Sequence, residues 1–586
     1  METKNYKRLP YGNSDFRRII LENYAYVDKT MYIEMLEKEA NPNQFFIRPR
    51  KFGKSLFFMT LSYYYDLNEA ENFDKLFGDL YIGKHPTPER NTYAVLKFDF
   101  SGLDTSSEQG FIKSFSTNVQ NRVCNFFNLY DSIFPDAKKY IRQIEDERQG
   151  ISSLEKVFDA AEQSRVKLFF IIDEYDHFAN DLIAMGNMQG TDIYKSMIAA
   201  NGIVRDFYEK LKNASKSSIV NRTFITGISP VMLDDLTSGY NIAIVLTMEP
   251  KYNEMMGFTQ EEVEWLMRET GVDPQYINVD MKAYYDGYLF HKDGAHSVYN
   301  PAMVLYFFQQ IISRQQPPEN IVDLNMQIDY GRLRRLFKNE SNRETLLQII
   351  KEGGIVSELL EKFPIEMLED DTQFVSLLFY MGLLTIKGSY LNQIRLDIPN
   401  FSVKTLYWDY IVRMTRETSP LMTIQSQPLN ESIIAAAMEG DITRFIEYVS
   451  KNAFSKFSDQ DLKHFDEKYI QALLLAYLFM SKIYIPMSEY ETVPGRTDIY
   501  LQRDPRLPQV KWEWILELKY CKTTTKPAEI AKLQKEGEEQ IKQYLGSHRL
   551  GNRPDLKAAV VVFIGKNKYR IFIVPDTTPP TIQAGL

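Results

Sequence analysis

The chain has 586 residues, 44% hydrophobic and 25% charged, with 37 Tyr and 37 Phe. That composition excludes wholesale disorder and is enough for more than one hydrophobic core. Lys+Arg number 69 and Asp+Glu 78, a formal charge of −9, which excludes a surface-wide polyanion binder but leaves room for a local basic groove.

Asn43–Pro49 reads as a short buried strand ended by Pro49, followed by RKFGKS and a helix over Leu56–Tyr65. Ala94–Phe100 alternates like a strand, and Ser107–Leu129 and Ser152–Gln163 read as helices. Val166–Asp173 is an apolar run closing on acids, as expected of a strand buried on both faces. Tyr194–Leu211 follows as one helix, and Arg222–Ile228 as another buried strand. Alternating strands and helices imply a largely parallel sheet. From Gly257 to about Asn400 the pattern is helical, with a hairpin expected over Thr385–Leu396. Glu417–Leu429 reads as a linker. Helices are then expected at Glu431–Glu439, Ile442–Ser450 and Phe465–Met480. Strands Thr497–Leu501 and Trp512–Tyr520 follow, then a charged helix over Ala528–Leu545, then strands Ala558–Ile564 and Tyr569–Val574.

The two cysteines, Cys124 and Cys521, offer neither zinc spacing nor a disulfide framework. The start carries no apolar signal-peptide stretch. The longest apolar runs, Ala472–Met480 and Ala558–Ile564, fall short of the roughly 18–20 residues of a membrane span. A cytoplasmic protein with no membrane partner is expected.

Two constellations carry chemistry. In Arg48–Ser55 (RPRKFGKS), Gly53, Lys54 and Ser55 lie between strand and helix, as a phosphate loop requires. Main-chain N–H groups turn toward the phosphates, the lysine reaches the terminal ones, and the hydroxyl meets Mg²⁺. Arg48 stands where such a loop usually has its first glycine. With Arg50 and Lys51 it forms a cationic patch suited to a nucleotide. Asp173 and Glu174 end the next buried strand, the first for Mg²⁺ and the second to orient the attacking water. Thr226 and Ser229, ending the strand after that, are candidates to sense the γ-phosphate. His177 reads as a loop histidine, and Arg222 as structural.

Seven motifs in order, YVDKT (Tyr26–Thr30), RPRKFGKSL (Arg48–Leu56), FIIDEYD (Phe170–Asp176), FITGISP (Phe224–Pro230), GFTQEEV (Gly257–Val263), YYDGY (Tyr284–Tyr288) and YNP (Tyr299–Pro301), resemble the bacterial and archaeal AAA-ATPase-like proteins. The resemblance covers about the first half of the chain. It implies an ATP-binding P-loop fold with an appended helical region, in which the missing first glycine is usual.

The second constellation is Asp498 in GRTDIYL, with Glu517 and Lys519 in ILELKY. Side chains alternate along a strand, so Ile515, Glu517 and Lys519 share a face. Two charges on an otherwise apolar face need pairing or a metal. Mg²⁺ on Asp498 and Glu517, with Lys519 beside the phosphate, accounts for them. The arrangement resembles the PD-(D/E)XK nuclease core, which the AAA-ATPase-like family commonly carries at its C-terminus. That resemblance implies further roles for Glu467, Glu491, the Gly495–Asp498 turn, Gln540 and Tyr544.

The expected architecture is α/β: an AAA-like P-loop NTPase parallel sheet (1–250) with a helical lid (251–416), then a restriction-endonuclease-like α/β domain (430–586). The expected catalytic residues are Glu174, Asp498, Glu517 and Lys519. Arg48, Gly53, Lys54, Ser55, Asp173 and Thr226 are expected to bind ATP. Ser55, Asp173, Asp498 and Glu517 are the expected Mg²⁺ ligands. DNA and a second copy of the chain are the expected partners. The alternative is a nucleotide-dependent switch or binding protein with an inactive nuclease-like domain.

Overall fold

A computed structural model describes residues 6–147, 150–185, 188–199, 201–232, 240–277, 279–323, 340–364, 370–418, 426–456, 466–491, 496–504, 507–546, 553–566 and 568–575. The chain divides into two compact units, one of residues 1–349 and 353–402, the other of 350–352 and 403–586.

The first unit is organised by five parallel strands: β1 (Asn43–Ile47), β2 (Tyr93–Asp99), β3 (Lys167–Asp173), β4 (Val220–Gly227) and β5 (Ile244–Val245). Their order is β2-β3-β4-β1-β5. β1 is buried throughout and β3 nearly so, which is why both read as continuous apolar runs rather than alternating ones. Because the strands are parallel, the loops leaving β1, β3 and β4 emerge at one edge of the sheet, where ligands of open α/β sheets bind. β5 has two residues, too few to show a period, and the sequence reading missed it.

Two expectations need correction. Tyr194–Leu211 is two helices, Met188–Ile198 and Ile203–Lys216, because Gly202 takes an extended conformation and caps the second. The region after Gly257 is helical only in part. It includes helices Gln260–Thr270, Pro301–Arg314 and Asp371–Tyr380, but also a sheet of β6 (Gly354–Ser357), β7 (Thr385–Tyr390) and β8 (Gln393–Asp397) in the order β6-β8-β7. The expected hairpin is β7–β8. The four-residue β6 follows a helix directly and carries no strand signal of its own.

The second unit holds a mixed sheet of β9 (Tyr484–Glu491), β10 (Arg496–Arg503), β11 (Glu513–Cys521), β12 (Leu556–Ile564) and β13 (Lys568–Val574), ordered β13-β12-β11-β10-β9. β11 and β12 are parallel and the other neighbours antiparallel. The parallel pair needs a crossover, which the Pro527–Leu545 helix supplies. This helix packs Ile530, Ile541 and Tyr544 onto Tyr500, Ile515, Val560 and Val562 of the sheet. The Glu467–Met480 helix is apolar over most of its surface and correspondingly buried. β9 went unread because Pro486 and its polar residues break the strand pattern.

The segment read as a linker includes the end of helix Phe401–Thr418 and the start of helix Ser426–Ile434, while 419–425 lies outside the described residues. The division between the units falls earlier, at Ser402/Val403. Among the described residues no helix is long and apolar enough to cross a membrane.

Candidate functional site

Leaving β1, the chain turns through Arg48–Gly53 into the Lys54–Tyr65 helix. Lys51 (φ +66°) and Gly53 (φ +93°) lie in the left-handed region, and nothing lies within 4 Å of where a Gly53 Cβ would stand. This open space beside the first N–H groups of the helix leaves room for an anion. Lys54 Nζ donates to Arg48 O (3.0 Å) and Pro49 O (2.9 Å). Burial pulls the Lys54 pKa down, against the charges of Asp173, Glu174 and Asp176. The Ser55 hydroxyl donates to the Asp173 carboxylate. Burial pushes that carboxyl up to about 6, with Ser55 and Lys54 opposing.

After β3, Glu174 adopts φ +50°, a left-handed conformation unusual for a residue with a side chain. Its N–H donates to Asp173 Oδ1 (2.9 Å). His177, read from the sequence as a loop residue, opens the His177–Met185 helix. Its Nδ1 lies 2.8 Å from Glu174 Oε2 and its Nε2 3.4 Å from Asp181 Oδ2. Asp181 and Glu174 together raise His177 from 6.5 to about 9 against its burial. His177 in turn holds Glu174 below the usual carboxylate range. The i,i+3 and i,i+4 spacing of these residues in DEYDHFAND was the available signal.

The other motif residues lock this edge together. Asp176 is fully buried and accepts from Ile228 N, Ser229 N (2.6 Å) and Asn180 Nδ2 (2.7 Å). Tyr175 OH donates to Ser229 O (2.7 Å). A Cβ on Gly227 would stand 2.3 Å from Asp176 Oδ1 and 2.5 Å from the Tyr175 ring, so only glycine fits.

Three expected phosphate contacts are placed elsewhere. The Arg48 guanidinium is 1% exposed and donates to Ile47 O (3.0 Å), Thr247 O (2.9 Å) and Tyr252 O (2.8 Å). It is also stacked between the rings of Phe46 and Phe290, 4.3 and 4.0 Å from their centroids. It braces the loop from behind because main-chain carbonyls and aromatic faces compensate its burial. The buried Thr226 hydroxyl donates to Phe46 O (2.8 Å), and that of Ser229 to Asn180 Oδ1 (3.0 Å).

Over the loop opens a cavity of about 580 Å³, within the range of small-molecule sites. Gly53, Lys54, Ser55, Glu174 and His177 line one part, and Tyr11, Tyr26, Met255 and Phe258 another. Tyr11 OH donates to Asp323 Oδ2 (2.6 Å). Lys29 of YVDKT donates to Glu262 of GFTQEEV (2.7 Å) and to Glu254 O (2.8 Å), so these two distant motifs meet in the fold.

In the second unit, the register pairs Ile499 with Leu516 and Tyr500 with Ile515, and so sets Asp498 directly across from Glu517. Asp498 Oδ2 accepts from Leu518 N (2.7 Å), and Asp498 O from Gln471 Nε2 (2.5 Å). Glu517 is 2% exposed. Its Oε1 accepts from Lys519 Nζ (2.7 Å), whereas its Oε2 is buried with no hydrogen-bond partner. Burial and then the Asp498 charge push the Glu517 carboxyl well above the carboxylate range, with Lys519 opposing. Burial works against the Lys519 ammonium, but the Glu517 carboxylate overrides it and leaves Lys519 raised. Glu467 is also raised, by burial first, and feels both Lys519 and Asp498. From the covering helix, Gln540 presents a buried Oε1 without a partner, and the Tyr544 phenol feels both carboxylates. The Glu491 side chain and Gly495 lie outside the described residues.

Residues 10–237 match the family model described as predicted AAA-ATPase, and residues 465–572 that of the PD-(D/E)XK nuclease superfamily. The chain joins an AAA-ATPase-like domain to a PD-(D/E)XK-like domain. An uncharacterized protein in the vnfD 5' region of Azotobacter chroococcum mcd 1 is 24% identical over 477 residues, 79% of this chain and 81% of that protein. The Aeropyrum pernix ORC1 protein, solved in complex with DNA, aligns over 71% of this chain and 100% of its own at 9% identity and a TM-score of 0.27. The Aeropyrum pernix ORC2 protein aligns over 68% and 98% at 10% identity and a TM-score of 0.26.

Proposed function

We propose that the AAA-ATPase-like domain binds and hydrolyses ATP and that its nucleotide state gates Mg²⁺-dependent cleavage of DNA by the PD-(D/E)XK-like domain. The observation that carries the nuclease half is the buried, unpartnered Oε2 of Glu517 across the strand pair from Asp498. Two acids so placed in a desolvated setting call for a cation. Mg²⁺ is commonly held by one or two carboxylates and completes its shell with water and phosphate oxygens. Asp498 and Glu517 would hold it, and when bound it would polarise the scissile phosphate and activate water. Lys519, which donates to Glu517 Oε1, would supply the positive charge that stabilises negative charge developing on the scissile phosphate.

At the phosphate loop, Gly53 keeps the anion space open. Lys54 exchanges its two carbonyl acceptors for phosphate oxygens. Ser55 and Asp173 would hold the Mg²⁺ of the nucleotide, and Glu174 orients water in line. Arg48 and Thr226 support the loop and β1 through the main chain.

Plasmid cleavage with Mg²⁺ or Mn²⁺, with and without ATP, tests the whole reading. Metal-dependent cutting that responds to ATP is expected. A chain that binds no Mn²⁺ and cuts nothing under any nucleotide condition removes the nuclease reading and favours a nucleotide-dependent binding protein.

A further inference from the structure

His177 occupies an unusual position. It begins a helix, its side chain is 17% exposed, and its two ring nitrogens face two different carboxylates, Glu174 at 2.8 Å and Asp181 at 3.4 Å. Both Glu174 and His177 line the cavity beside Lys54 and Ser55. Glu174 projects from a left-handed backbone, so its side chain leaves β3 on a path that local preference does not favour. Something outside the backbone has to fix where its carboxylate points. The imidazole lies against Oε2 at 2.8 Å as an ion pair rather than a well-aligned hydrogen bond, and holding one oxygen of a planar carboxylate also limits where the other can point.

We infer that His177 is a positioning residue for ATP hydrolysis, fixing the water-orienting carboxylate of Glu174 through an imidazole bridge anchored on Asp181. The inference rests on the ATPase reading above. Phosphoryl transfer asks little of a base and much of alignment, so a carboxylate held in one direction by a neighbouring side chain suits the task. His177 itself touches neither nucleotide nor water in this scheme.

The test compares steady-state ATP turnover and ATP affinity in wild type, His177→Ala, His177→Asn, His177→Gln and Asp181→Asn. The amide of Asn falls near the Nδ1 position and can still donate to Glu174. The amide of Gln falls nearer Nε2 and serves the Asp181 side. His177→Ala is expected to lower kcat about tenfold or more at unchanged KM and ATP affinity. Asn recovers much of that loss and Gln does not. Asp181→Asn, which leaves the Glu174 contact, costs about two- to fivefold. A role confined to packing would show neither the kcat-only effect nor the difference between Asn and Gln. Wild-type kcat in His177→Ala, or equal recovery by Asn and Gln, overturns the inference alone. A wild-type chain that binds Mg·ATP but never turns it over overturns the ATPase reading and this inference together, a pattern distinct from an active enzyme indifferent to His177.

Discussion

The two sites differ in how their charges are satisfied before any ligand arrives. At the phosphate loop Lys54 rests on two carbonyls, Asp173 on the Ser55 hydroxyl, Glu174 on His177, and Asp176 on the N–H groups of β4's exit. In the second unit Glu517 keeps one lysine contact and one bare buried oxygen, with Asp498 facing it. The difference follows from where the residues sit. Loop and helix-start residues can turn toward partners of their own, whereas the pleat fixes the direction of side chains in the middle of a strand. The strand site therefore carries a standing electrostatic cost, the kind of stability that active sites trade for function.

Asp498→Asn probes that cost most directly. It keeps an acceptor for Leu518 N, removes one charge, and offers an amide donor toward Glu517. Metal-dependent cleavage should fall by about a hundredfold or more. The metal-free chain should melt higher, by ~2–4 °C for a gain of about 1 kcal/mol. The sign of the pH dependence follows from the raised Glu517 pKa. Below that pKa Glu517 is protonated and the repulsion relieved; above it the penalty is fully present. The gain in melting temperature should therefore be larger at about pH 8 than at about pH 5. An unchanged or lowered melting temperature would erase the contrast between the sites.

Glu174→Gln should lower ATP turnover by about a hundredfold while leaving affinity unchanged, as calorimetry and phosphate release can show. Wild-type turnover in that variant would reduce Glu174 to a strand-end acid. Lys54→Ala should weaken ATP binding about tenfold, the equivalent of one charge-assisted bond. The loss is moderated because the ligand-free lysine already has acceptors to give up.

The smallest expected effect separates the two regions by pH. His177 is raised from 6.5 to about 9, so the stability it contributes is fully present below 6.5 and is lost as pH rises through 9. The melting difference between wild type and His177→Ala should be greatest near pH 6 and shrink by about pH 10. A difference independent of pH would mean that the ion pair adds nothing to stability.

The parts legible in the sequence were those with a local pattern. Continuous apolar runs marked β1 and β3, and GKS between a strand and a helix marked the loop. The alternation of ILELKY placed Glu517 and Lys519 on one face. That Asp498 and Glu517 share a site was read with the help of the resemblance, but that they stand directly opposite one another depends on strand register, which the intervening segment does not encode in any spacing. Arg48 was misplaced for a related reason. Its acceptors, Thr247 O and Tyr252 O, are main-chain atoms about two hundred residues away, and backbone carbonyls leave no trace in side-chain identity. His177 had the right spacing to both acids, but without knowing that a helix begins there the spacing had no meaning.

The fit at Gly227 has a mechanical consequence. With no room for even a methyl group, and with Asp176 fastened to residues 228 and 229 and Tyr175 to Ser229, the exits of β3 and β4 form a single stiff joint. Any displacement of the β4 exit must carry the acidic turn with it, and a pull on Glu174 must be felt at Ser229. The unit thus transmits small movements across neighbouring strands without slack, and the methyl of Gly227→Ala, pressed against the Asp176 carboxylate and the Tyr175 ring, would force the joint itself apart.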